Sequence, residues 1–203
     1  MPLGPEEPVG GADAAPALTL AASVRLARRY AEVERVLFEV LGGWVATVVE
    51  PDVKLHLATH GPHHAWHAEL WQRVHDGSDP PDPPGGGAAL AEALAGPVGP
   101  GHTLGRLVAA YRVVVPRMVG AYAEHLRRTS PVSDGPVVRA LRLTLRDELD
   151  EWAGGEWLVQ ALVRDGDDAD AAAARQAHLE RLVVETGLLP GAPPATTSTE
   201  IGG

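Results

Sequence analysis

The chain has 203 residues, 45% hydrophobic and 22% charged, with a net charge of −10 and no cysteine. That suits one globular domain with a sizeable core, and it excludes disulfides, thiolate catalysis and cysteine-held zinc or iron–sulfur centres. The acidic balance speaks against nucleic acid or an anionic membrane as partner, since both demand basic patches, and no apolar run approaches the roughly 18 residues that span a bilayer.

Taken in chain order, residues 1–16 ("MPLGPEEPVGGADAAP") are Pro/Gly-rich and expected to be disordered. They lack the basic start and apolar run of a secretory signal, which points to a cytoplasmic location. The bias toward Ala, Arg, Gly, Pro and Asp is of the kind found in GC-rich bacterial genomes. A first helix is predicted over about 17–46. Its apolar stripe is Leu26, Tyr30, Val33, Leu37, Phe38, Leu41, Trp44 and Val45, and Glu34 falls inside that stripe.

A second helix is predicted from Pro51, a residue suited to the first turn, to about His75. It carries "HLATHGPHHAWHAELW", residues 56–71, with five of the chain's nine histidines. His56, His60, His63, His64 and His67 fall within an arc of about 100°, on the face shared with Val53, Leu57 and Trp71. Pro62 lies in the middle and either kinks this helix or divides it in two.

Residues 76–100 are rich in proline and glycine, with room for a helical turn at "ALAEALAG". A third helix is predicted over about 103–128, with an apolar stripe that includes Tyr111, Met118 and Tyr122 and contains no acid. A fourth runs over about 137–163, with Ser133 or Asp134 as its N-cap. Glu148 lies at the centre of its stripe and Glu151 at the edge, while Asp147 and Asp150 point away. A shorter helix over about 168–185 comes next, and residues 188–203 are expected to be a disordered tail.

The expected fold is therefore all-α: a four-helix bundle over 17–187, with residues 76–100 as a long crossover between its second and third helices and a short C-terminal helix. Two short connections flanking one long one is a known bundle connectivity. In that arrangement Glu34, the histidines at 60–67, Glu148 and Glu151 come to one level. Buried carboxylates cost several kcal/mol unless paired or coordinated. Two solutions stay open: a divalent metal held by imidazole and carboxylate, or a metal-free network in which each acid meets a histidine or arginine, for instance Glu34 with Arg112. The three tyrosines read as core residues that hydrogen-bond the acids.

Inward Glu34, His64-x-x-His67 and Glu148-x-x-Glu151 on successive rods resemble the ferritin-like di-iron carboxylate superfamily, whose pattern is a Glu from each of two helices and Glu-x-x-His from each of the other two. Here His replaces Glu in the first such motif and Glu replaces His in the second, and the third rod offers no acid. The resemblance implies a mononuclear or asymmetric site, with oxidation, oxygen activation or metal handling as its chemistry. His60-x-x-x-His64 also resembles the DinB-like bundles, which carry such a pair on a later helix.

The candidate ligands are thus Glu34, His60, His63, His64, His67, Glu148 and Glu151, holding iron or manganese, with zinc also open. The rival reading is a metal-free scaffold or partner-binding module. A small-molecule substrate or a protein is the expected partner, with a homodimer open; neither nucleic acid nor membrane is expected.

Overall fold

The computed structural model describes residues 16–74, 86–95 and 102–190. Residues 1–15 and 191–203, expected to be disordered, and much of the expected crossover lie outside the described residues. Every regular element among the described residues is helical: α1 (Leu20–Val45), α2 (Pro51–Val74), α3 (Gly87–Ala95), α4 (Thr103–Val108), a π-helical segment (Ala109–Val114), α5 (Val115–Arg127), α6 (Gly135–Leu162) and α7 (Gly166–Thr186). The chain is all-α, as expected.

Local chemistry sets several boundaries. Thr19 caps α1 by accepting the Ala22 N–H at 3.2 Å, and Pro51 opens α2. Asp134 occupies the N-cap position of α6, although its side chain makes no capping hydrogen bond there. Asp165 caps α7 by accepting the Asp168 N–H at 2.9 Å. The same helix ends at Gly187, whose φ of 63° favours glycine. Leu188, Leu189 and Pro190, beyond the expected end of the bundle at 187, are buried.

Two prolines sit inside helices with different results. α2 runs through Pro62 without a break, so only the carbonyl of Ala58 loses its usual donor. α4, the π segment and α5 also form one continuous rod, and here Pro116 lies just past the widened turn. A proline ring clashes with the carbonyl four residues back. The π segment, in which the Val115 N–H reaches Ala110 five residues back, opens the helix immediately before that ring.

Hydrogen bonds at the rod ends fix the directions. The third rod starts beside the α1–α2 turn, where Thr103 Oγ1 donates to Glu50 at 2.9 Å and Arg106 donates to Thr47 at 2.9 Å. It finishes beside the start of α1, where the Leu18 N–H donates to the Arg128 carbonyl at 3.0 Å. α6 then starts near Leu20 and Val74 and packs on α2 and α5. So α1 and α6 run one way, and α2 and the third rod run the other. α2 therefore ends, and α4 begins, at opposite ends of these helices. α3 rests on α1, with the Gly87 N–H donating to Glu32 at 2.9 Å.

The core matches the expected stripes, with Leu37, Leu41, Leu57, Trp71, Met118 and Leu141 sealed from solvent. Phe38 differs: it stays 42% exposed, because it lies about 100° around α1 from the buried Leu37. One close approach positions a tyrosine in the interior. A Cβ on Gly155 would lie 2.2 Å from Tyr111 Cγ, so only glycine lets the tyrosine ring lie flat on α6. Gly155→Ala is expected to destabilise the protein by about 1–3 kcal/mol through overpacking. Urea denaturation checks this, and an unchanged midpoint would show that the ring has room to move.

Candidate metal centre

The core of these helices holds an unusual concentration of polar groups. Glu34 on α1, His64 and His67 on α2, and Glu148 and Glu151 on α6 are all buried, with at most 1% exposure. Three carboxylates and two imidazoles thus share a volume closed to water. Left unpaired, each charge would cost several kcal/mol.

Helical spacing explains how they meet. His64 and His67 lie three residues apart and so share a face of α2; Glu148 and Glu151 do the same on α6. Their opposed faces converge, with Glu34 approaching from α1. His64 Nδ1 lies 2.7 Å from Glu34 Oε2 and 3.3 Å from Glu148 Oε1. His67 Nδ1 lies 3.5 Å from Glu34 Oε1 and 3.4 Å from the same Glu148 oxygen. Ligand atoms of Glu34, His64, His67 and Glu148 all fall within 4.8 Å of one another.

The outward sides of these residues are held as firmly. His64 Nε2 faces Glu151 at 3.2 Å, and His67 Nε2 faces Asp147 at 3.2 Å. Each imidazole therefore turns Nδ1 to the centre and Nε2 to a further carboxylate. Tyr122 donates its hydroxyl to Glu34, and Tyr111 donates to Glu151 at 3.1 Å. Tyr122 is fixed in turn by stacking on Trp71, with ring centroids 5.6 Å apart, and by edge contact with Tyr30 at 4.6 Å. Tyr30 spends its own hydroxyl on the Ala121 carbonyl.

Three atoms at the middle are left over. Both oxygens of Glu148 and Nδ1 of His67 have no hydrogen-bond partner, although all are buried. Native structures rarely leave such groups unsatisfied. The contacts of 3.3–3.5 Å around them match the roughly 3.4 Å between neighbouring ligands of a tetrahedral ion with bonds of about 2.1 Å. The residues present fit a divalent cation, and Glu34, His64, His67 and Glu148 can hold one.

Electrostatics shows what protons do in the cation's place. Burial disfavours the charged form of both imidazoles, but Glu151 and Glu148 raise His64 well above its usual range, and Glu34 and Glu148 raise His67 to about 10. Burial alone would push the Glu34 carboxyl up; His67 and His64 outweigh it and hold it below the usual carboxylate range. Burial, reinforced by the acids, keeps both Tyr111 and Tyr122 as protonated phenols. Metal-free, the cluster is a set of imidazolium–carboxylate pairs in which acids still outnumber imidazoles.

The other sequence-derived candidates fall outside the quartet. Glu151 holds His64 from behind and is not part of the four-residue group. His60 and His63 lie on the same face of α2 but are only partly buried, stepping away from the centre as a line of rings. His63 to His60 is 5.5 Å between centroids, and His60 to His56 is 4.4 Å. Arg112 is not the partner of Glu34: it forms a two-pronged bond to Glu156. Asp147, which the helical wheel turns away from the core, reaches His67 from the rim of the site. Two of the three tyrosines bond the acids, Tyr111 to Glu151 and Tyr122 to Glu34, whereas Tyr30 bonds the Ala121 carbonyl instead; Tyr122 has no special signal in the sequence beyond its place in the stripe.

The chain matches no family model, no curated protein and no solved structure.

The raised imidazoles give a testable pH dependence. A histidine whose folded value lies above its unfolded value stabilises fully below about pH 6.5. That contribution is lost as pH climbs through the folded value, about 10 for His67. Denaturant unfolding of chelator-treated protein is expected to show stability falling steadily from about pH 6.5 toward about 10. With metal bound the sign reverses, because protons compete for Nδ1, so stability should rise with pH over the neutral range.

Proposed function

We propose that this chain is a metal-dependent protein of ferritin-like architecture, holding one divalent ion between Glu34, His64, His67 and Glu148. Iron or manganese suits the mixed nitrogen and oxygen donors, and zinc is compatible with them. The reading rests above all on one observation. Both imidazoles aim Nδ1 at the same two glutamates while a separate carboxylate grips each Nε2. A carboxylate behind a histidine fixes the tautomer and makes the inner nitrogen a better donor, which is how metal-ligating histidines are held. The orphaned oxygens of Glu148 support the same reading.

When bound, the ion would supply a Lewis acid or a redox centre, and the reading is of an oxidoreductase or a metal-handling protein. The chain's own residues do the rest. Glu151 and Asp147 accept from the outer nitrogens of His64 and His67 and leave the inner ones free to coordinate. Tyr122 and Tyr111 keep Glu34 and Glu151 from swinging outward, and their phenolic protons stay in place at neutral pH. The aliphatic core around them excludes bulk water, so the charges act at full strength. The ferritin-like reading is supported by the inward acids on α1 and α6, the histidines on α2, and the end of α2 and the start of α4 lying at opposite ends of the helices. The third rod, which would carry a further acid in the superfamily's pattern, here presents Tyr122 to Glu34 and Tyr111 to Glu151.

Elemental analysis of protein purified without chelator tests the proposal. About one equivalent of iron, manganese or zinc is expected per chain. Glu148→Gln, close in shape and lacking the charge, should lower the metal content at least tenfold while leaving the helical circular-dichroism spectrum intact. The His64→Ala/His67→Ala variant should hold none. No metal under any loading condition would leave the imidazolium–carboxylate network as the resting structure and favour the scaffold reading.

A further inference from the structure

A sizeable cavity lies away from the metal centre. It lies at the far end of the bundle, enclosed by the start of α4, the end of α6 and the first half of α7, and measures about 520 Å³. Leu162 on its wall is fourteen residues past Glu148 along α6, roughly 20 Å at the rise of a helix. A cavity of this size is typical of small-molecule sites.

Its walls are mainly apolar, supplied by Leu104, Leu162, Ala171 and Ala172, but two of its cations are unusual. Arg106 is only 6% exposed and has no carboxylate partner among the described residues. Its guanidinium donates to the neutral Thr47 hydroxyl and lies over the Trp44 ring at 5.8 Å, while Nε is buried with no acceptor. Arg175, half-buried, donates to the Ala93 carbonyl and likewise meets no acid among the described residues.

A buried guanidinium without a counter-charge is costly, and here buried Arg106 and half-buried Arg175 line one cavity. The acids nearby are already engaged. Asp168 takes the Arg164 guanidinium at 3.0 Å, and Glu50 accepts from Thr103 at 2.9 Å. The lining therefore holds three arginines against two acids, on a chain whose net charge is −10.

We propose that this cavity is a binding site for an organic monocarboxylate with an apolar body, its carboxylate held by Arg106 and Arg175 and its hydrocarbon part lying against Leu104, Leu162 and the alanines of α7. Two planar guanidinium forks suit a carboxylate, and the apolar walls reward the hydrocarbon by area buried. The site stands apart from the metal centre and does not depend on it.

Calorimetric titration of the full chain with decanoate, decanol, decyl phosphate and inorganic phosphate tests the assignment. Decanoate is expected to bind with one site per chain and to raise the melting temperature. Decanol and inorganic phosphate should bind at least tenfold more weakly, because each lacks half of the recognised chemistry. Arg175→Gln, at the half-buried position, should weaken decanoate at least tenfold with an unchanged circular-dichroism spectrum; Arg106→Gln should do the same where it folds. Glu148→Gln, which disables the metal site, should leave decanoate binding as it was. Decanoate binding unaltered in Arg175→Gln, decanol binding as tightly as decanoate, decyl phosphate binding in place of decanoate, or no binding at all would each overturn the proposal.

Discussion

A carboxylate shut away from water must be answered by charge or by hydrogen bonds, and three of them stand together between α1, α2 and α6. Much of the inner architecture can be understood as that answer. His64 and His67 come from one face of α2 because only residues three or four apart can reach the same point. Trp71, stacked on Tyr122, holds the phenol toward Glu34. Gly155 gives up its side chain so that Tyr111 can lie against α6 and reach Glu151. Each of these choices loses its purpose if the acids are removed. The acids, in turn, would be intolerable without them.

The centre can accommodate two kinds of positive charge. With protons on the imidazoles, the five groups form ion pairs that satisfy most of the acids but leave Glu148 short of partners. With the proposed divalent ion, the same atoms would become ligands, and the outer carboxylates would keep their roles unchanged. The fold need not rearrange between these conditions, since the outer grips on His64 and His67 do not involve the inner nitrogens. Proton release and cation uptake are thus opposite sides of one equilibrium.

Much of this is legible in the sequence. The helical segments, the inward position of Glu34 and Glu148, and the shared face of the histidines all come from periodicity, which tertiary packing here obeys. Height is harder. A helical wheel records angle but not distance along the axis, so His60 and His64 look alike on it although they stand about 6 Å apart along α2. That is why periodicity alone does not separate His56 and His60 from His64; His63, about 1.5 Å from His64 in height, is set apart by angle. Asp147 escapes the wheel for a related reason: it sits about 100° from Glu148, but an imidazole is long enough to meet it at the rim. Arg106 gives no signal at all, since an arginine on a helix end is ordinarily solvated and only the packed structure shows that this one is enclosed.

The π-helical segment has a consequence for how the third rod meets its neighbours. Tyr111 and Tyr122 are eleven residues apart, and a regular α-helix would bring them to within about 20° of the same direction. Both would then address one neighbouring helix. A π-turn accommodates one additional residue and rotates the downstream part of the rod by roughly 100°. As a result Tyr111 turns to Glu151 on α6 and Tyr122 to Glu34 on α1. Chain length between these tyrosines is therefore under a constraint that side-chain identity alone does not reveal. The constraint is on length and winding together: with one residue fewer, a regular helix would keep the two phenols about 80° apart and on their acids, whereas a regular helix at the present length would swing one of them away.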